Sequence, residues 1–116
     1  MPLVKVGVVS GKTQEYRKAV LQGIREALKE AVGVPDGAIE QVLYEVEGDF
    51  SSREPESGVV IEITLFEGRS REIKSELYRT IARNLAQSPG IAARDLVIAL
   101  YEIPRENWGT GGRPAE

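Results

Sequence analysis

The chain has 116 residues, a net charge of −3 and neither His nor Cys. Its length gives one domain that can bury a core without disulfides or a structural metal, and its charge lacks the basic excess of a nucleic-acid or anionic-membrane binder. Without Cys or His there is no thiolate nucleophile, no Ser–His dyad and no usual zinc set, so proton transfer falls to carboxylates, Lys, Tyr or the amino terminus.

Leu3 to Val9 is β-branched and alternating, which predicts a strand with Val4, Val6 and Val8 on one face. Ser10-Gly11 ends it. The spacing of Tyr16, Ala19, Val20, Ile24, Ala27, Leu28 and Ala31 predicts a helix over 13–31 with one apolar stripe. Thr13 is its expected N-cap, Glu15 favours the positive end of the dipole, and Gly33 and Pro35 stop it. A second strand is predicted over 39–46.

Residues 48–58 are polar and turn-rich and read as a connector or hairpin. A third strand is predicted over 59–66. A second helix is predicted over 70–88, with Ile73, Leu77, Ile81 and Leu85 as its buried seam and Pro89-Gly90 as its stop. A fourth strand is predicted over 96–103. Residues 104–116 form a tail rich in Gly, Pro and polar residues that carries the only Trp. No apolar run approaches the ~20 residues of a membrane span, and the first residues lack the pattern of a signal peptide. With no Cys, a cytoplasmic location is expected.

The halves repeat. Residues 3–46 align with 60–103 without a gap at an offset of 57. Gly11 falls on Gly68, Glu15 on Glu72, Ile24 on Ile81, Leu28 on Leu85, Gly33 on Gly90, and Leu43-Tyr44-Glu45 on Leu100-Tyr101-Glu102. Each half is a β-α-β unit whose right-handed crossover makes its strands parallel. The predicted class is α+β: a tandem β-α-β repeat forming a four-stranded mixed sheet with both helices on one face. The expected organisation is one domain over 1–116, with repeat 1 at about 2–47, connector 48–58, repeat 2 at about 59–103 and tail 104–116. A ferredoxin-like order fits the same string of elements.

Pro2 carries the most information. Removal of the initiator Met ahead of a small residue would free a prolyl secondary amine. An α-amino group has a pKa of about 7.7–8.0, and burial or a nearby cation lowers it toward a useful general base. A proline that merely starts an edge strand is the competing reading. Arg69 lies between the third strand and the second helix, where a guanidinium can bind a carboxylate in a bidentate manner. Lys12 holds the matching place in the first half, so the two cations are expected to approach one pocket, with solvated turn cations as the alternative. Trp108, with Arg105 beside it, either covers a pocket, enters a neighbouring subunit or packs the tail on the sheet. Phe50 in the connector has the same alternatives. Tyr44 and Tyr101 read as structural. Gly-Lys-Thr at 11–13 lacks the rest of a phosphate loop, the glycines at 109–112 open no helix, and the acidic residues have no metal-ligand spacing. Neither a metal nor a cofactor is expected.

Pro2 behind the initiator Met, tandem β-α-β halves and Gly-Arg-Ser at 68–70 together resemble the tautomerase superfamily. The likeness covers nearly the whole chain. Gly-Val-Pro at 33–35 and Glu-Asn-Trp-Gly at 106–109 resemble its fused, double-length branch, which includes malonate semialdehyde decarboxylase and cis-3-chloroacrylic acid dehalogenase. The resemblance implies a cofactor-independent tautomerase, with the Pro2 amine as base and acid and Arg69 binding the carboxylate of a small 2-oxo or enol acid. It implies that Lys12, Phe50, Arg105 and Trp108 bind substrate or shape the pocket, and that the chain forms a homotrimer. The chain departs from the decarboxylase pattern at Ala38, where an Asp is expected, and at Glu67, where an Arg is expected. It also lacks the first-helix His of the dehalogenases. Hydratase, decarboxylase or dehalogenase action on a short unsaturated or 3-oxo acid is the alternative enzyme reading, and a non-catalytic trimeric binding module is the other class.

Overall fold

The computed structural model describes residues 2–48 and 57–115. Most of the connector, with Phe50, lies outside them. Strands β1 (Leu3–Val9), β2 (Glu40–Val46), β3 (Val59–Phe66) and β4 (Leu96–Ile103) form one sheet in the order β2-β1-β3-β4. β1 runs parallel to β2 and β3 parallel to β4, while β1 and β3 are antiparallel. Each repeat therefore pairs its own two strands directly. A ferredoxin-like sheet places a foreign strand between them, so that alternative fails.

The antiparallel register carries the repeat further. Lys5 faces Glu62, its own counterpart 57 residues on, and Leu3↔Thr64 becomes Gly7↔Val60 under the same offset. An approximate two-fold axis thus passes between Lys5 and Glu62 and exchanges the halves.

Helix α1 (Gln14–Ala27) and helix α2 (Arg71–Gln87) cover one face. Alternation along β1 and β3 sends Val4, Val6, Val8, Val59, Ile61, Ile63 and Leu65 inward against Val20, Ile24, Leu28, Leu77, Ile81 and Leu85. Thr13 caps α1 through Tyr16 N–H at 3.0 Å, and Ser70 caps α2 through Ile73 N–H at 3.2 Å.

Two expectations change. α1 stops being α-helical at Ala27, and Leu28–Val32 continues as a wider π-type turn. The helix ends at the left-handed Gly33 (φ +79°), where Gly33 N–H reaches back to the Lys29 carbonyl and Val34 N–H to the Leu28 carbonyl. Ile73 is 38% exposed, because α2 enters the core only from Leu77 onward. The tail is also ordered: Arg105–Asn107 make a 3-10 turn, and β5 (Gly109–Thr110) pairs with β6 (Arg113–Pro114). Gly111 and Gly112 have φ of +60° and +81°, the pair of positive angles that a tight primed hairpin turn needs.

Among the described residues, the face of the sheet away from the helices carries exposed apolar side chains around the central Lys5 and Glu62. Val42, Tyr44, Val60, Val97 and Tyr101 are 40–53% exposed there. Among the described residues, no helix is long and apolar enough to cross a membrane.

Candidate active site

The antiparallel β1–β3 pair decides which ends of the repeats meet. The start of β1 lies beside the end of β3, so Pro2 comes next to the turn that leads into α2. Pro2 is buried, and its carbonyl accepts from Glu40 N–H at 3.0 Å, which ties it to the start of β2. A cleft of about 250 Å³ opens there. Pro2, Leu65, Phe66, Arg69 and Arg105 line it, and residues 32–35 form the far wall.

Both cations contact Phe66, the last residue of β3. Arg69 is half-buried, and its Nη1 donates to the Phe66 carbonyl at 2.9 Å. Arg105 lies with its guanidinium carbon 4.4 Å from the centre of the Phe66 ring. Trp108 meets the same ring edge-on, with centroids 6.4 Å apart and an interplanar angle of 76°. Its indole N–H donates to Thr110 Oγ1 at 2.8 Å. The tail therefore packs on Phe66 at the cleft: Arg105 is part of the lining, and Trp108 supports the wall from outside.

Beneath the Arg69 turn, Lys74 and Glu102 form a hydrogen-bonded ion pair. The Lys74 ammonium, above all, holds the Glu102 carboxyl below its ordinary value, and Gly68 N–H and Arg69 add to the effect.

Lys12 does not join this group. It follows the end of β1, whereas Pro2 precedes its start, and seven residues of strand span about 20 Å. The expectation that Lys12 and Arg69 approach one pocket fails within the chain, because the strands they follow run in opposite directions. Lys12 instead sits 5.7 Å from the centre of the Tyr16 ring. Near this second end, Asp95 is buried and accepts from the Ser57 hydroxyl at 2.9 Å. Burial, with Asp95 assisting, pushes the Tyr16 phenol above its ordinary value. Ala38 is half-buried in the turn before β2, and Glu67 is exposed. Sequence reasoning missed residues 32–35 as a wall, although the Gly33 stop marked the place where the chain turns.

Among the described residues, no group of three or more His, Cys, Asp or Glu is arranged to hold a metal ion. The chemistry available in the cleft is that of the chain's first proline and two guanidiniums. A family model described as a tautomerase enzyme matches residues 50–111, and another with the same description matches residues 2–57. The chain belongs to the tautomerase family. A probable tautomerase of Bacillus subtilis (strain 168), YusQ, is 26% identical over 124 residues, covering 100% of this chain and 98% of that protein. The structure of FG41 malonate semialdehyde decarboxylase inhibited by 3-bromopropiolate has a TM-score of 0.83 at 25% identity, covering 94% of this chain and 88% of that one. A wild-type symmetric trimer of Q0 fused 4-OT has a TM-score of 0.86 at 23% identity, covering 97% of this chain and 95% of that one, a likeness of fold.

Proposed function

We propose that this tautomerase-family chain is a cofactor-independent keto–enol tautomerase of a small 2-oxo or enol carboxylic acid. The observation that carries the reading is that buried Pro2 and Arg69 line one cleft although 67 positions separate them in the chain. Removal of Met1 frees the Pro2 nitrogen as a secondary amine whose direction the ring restricts. Arg69 takes the substrate carboxylate, and its positive charge stabilises the enolate oxygen that develops beside it. The amine accepts the enol O–H proton as the carbonyl forms, and the resulting prolinium gives a proton to carbon. One proton moves from oxygen to carbon, and the amine is regenerated. Arg105 is a second cation at the cleft mouth, and Phe66, braced by Trp108, is its apolar wall.

Decarboxylation or hydration of a short acid is a second reading, drawn from the likeness to FG41 malonate semialdehyde decarboxylase. Ala38 and Glu67, which stand where an acid and a further cation would serve that chemistry, weigh against it. Assembly as a homotrimer is part of the proposal. Its support is the set of exposed apolar side chains on one sheet face, the kind of surface that marks an interaction site, and the trimeric fused 4-OT of the same fold.

The test follows phenylenolpyruvate ketonisation by ultraviolet absorbance, after intact mass has established loss of Met1. Pro2→Ala and Arg69→Ala are each expected to lower kcat/KM by about 100-fold or more, the scale of a lost general base or a lost oxyanion partner. Equal rates for the wild type and both variants would overturn the mechanism.

A further inference from the structure

We propose that Glu102, held by Lys74, is a positioning residue that sets the direction of Arg69 in the cleft; the proposal rests on reading Arg69 as the carboxylate anchor. Arg69 sits on a turn whose pivot is Gly68, at φ +122°. A glycine there gives the turn its shape and leaves it loose, so neighbouring groups must hold it. The end of β4 lies beside this turn: Phe66 pairs with Ile103 and Leu65 with Glu102, and Ile103 C=O accepts from Glu67 N–H at 3.1 Å. A second hold is the bond from Arg69 itself to the Phe66 carbonyl. The Glu102 carboxylate accepts from Lys74, one turn into α2, and so ties the helix that follows the turn to the strand beside it.

The internal repeat makes this more than a surface ion pair. In the first half, Arg17 and Glu45 occupy the same two places and lie 3.4 Å apart. Ser10 N–H reaches Val46 C=O at 2.8 Å, as Glu67 reaches Ile103. Arg17 also donates to the carbonyl of Lys12, the counterpart of Arg69, at 2.7 Å. The acid closes the run Leu43-Tyr44-Glu45 and Leu100-Tyr101-Glu102 that the two halves share, and its basic partner stands at both ends, each next to a turn that carries a cation. An exposed ion pair contributes only about 0–1 kcal/mol to stability, so stability gives little reason to keep it twice. Holding a cation-bearing turn does.

The experiment compares phenylenolpyruvate kinetics of the wild type with Glu102→Ala, Lys74→Met, Lys74→Arg and Glu45→Ala. Glu102→Ala and Lys74→Met are expected to lower kcat/KM about tenfold, chiefly through KM, because the anchor is misdirected and not removed. Lys74→Arg is expected to stay within about twofold, since Arg17 fills the same role in the first half and either cation can pair with a carboxylate. Glu45→Ala loses a similar ion pair at the far end of the sheet and is expected to change kcat/KM by less than about twofold. Full activity in Glu102→Ala, or equal losses in Glu102→Ala and Glu45→Ala, would overturn the positioning role. If the wild type does not turn over phenylenolpyruvate, the tautomerase reading fails separately. The positioning role is then judged by the Arg69 Nε–Hε resonance in the NMR spectrum of the intact protein. Glu102→Ala must shift it and Glu45→Ala must not; an unmoved resonance in Glu102→Ala overturns the role.

Discussion

Two turns of this chain, Gly11-Lys12-Thr13 and Gly68-Arg69-Ser70, are made to one plan and sit at opposite ends of one sheet. Both pivot on a glycine of positive φ, at +105° and +122°, and both end in a hydroxyl that caps the following helix. What lies beside them differs. The Arg69 turn faces Pro2. By the two-fold relation the Lys12 turn faces the start of β3, where Val59 stands in place of Pro2 and is fully buried. The nitrogen of Val59 is a peptide amide inside a chain, so it has no basic lone pair. On the proposed function, the amine freed at Pro2 gives one of two similar ends a group for proton transfer and leaves the other end without one. The cations follow the same division: a guanidinium able to grip a carboxylate at two points lies beside Pro2, and a point-charge ammonium lies at the other end.

The sharpest way to break this comparison is to remove each cation in turn. Arg69→Ala is expected to lower kcat/KM by about 100-fold. Lys12→Ala is expected to change it by less than about threefold, because a solvent-screened charge some 20 Å from the base adds little. Steady-state assay of both variants decides the matter. A large loss in Lys12→Ala would mean that a neighbouring chain brings Lys12 to a cleft, and the contrast between the ends would have to be redrawn.

The comparison also shows what the sequence could disclose. The offset of 57, with Gly11 on Gly68 and Leu28 on Leu85, was enough to derive two parallel β-α-β units and a shared helical layer. Pro2 and Arg69 stood out by their chemistry. Their meeting did not follow from the repeat, because a mixed sheet leaves open which two strands adjoin at its centre. The expectation about Lys12 failed separately. It treated the ends of β1 and β3 as neighbours, and the Lys5↔Glu62 register sets them at opposite edges. The tail was hidden differently. Arg105 and Trp108 are placed by the Phe66 ring, and a contact between a polar tail and a strand end leaves no periodicity to read. Ile73 shows the limit of periodicity itself: the spacing put it on the seam, but the helix had not yet reached the sheet.

The second measurement tests whether the halves are as equal in stability as they are unequal in chemistry. Ile24 and Ile81 are counterparts, and both are fully buried between the helices and the sheet. Ile24→Ala and Ile81→Ala should each destabilise the fold by about 2–5 kcal/mol, from lost transfer energy and a residual cavity. Urea denaturation is expected to give values close to one another, since each side chain packs against the same layer. A difference of several kcal/mol would show that one repeat supports the fold and the other leans on it.

The smallest effect expected concerns the caps. Thr13→Ala and Ser70→Ala each remove a side-chain acceptor from a helix N-terminus, at a cost of about 1 kcal/mol each by denaturant midpoint. Their consequences for catalysis should part, because Ser70 directly follows Arg69, the proposed carboxylate anchor, and Thr13 follows a cation outside the cleft. When the cap is lost the first turn of α2 frays, and with it goes the fixed point from which Lys74 reaches Glu102, since Lys74 N–H bonds to the Ser70 carbonyl at 3.1 Å. Ser70→Ala is therefore expected to raise KM by about threefold, a modest loss of orientation, while Thr13→Ala leaves KM unchanged at equal loss of stability. Equal KM values in the two variants would place the cap in folding alone and would leave the ion pair, without the helix terminus, as what holds the Arg69 turn.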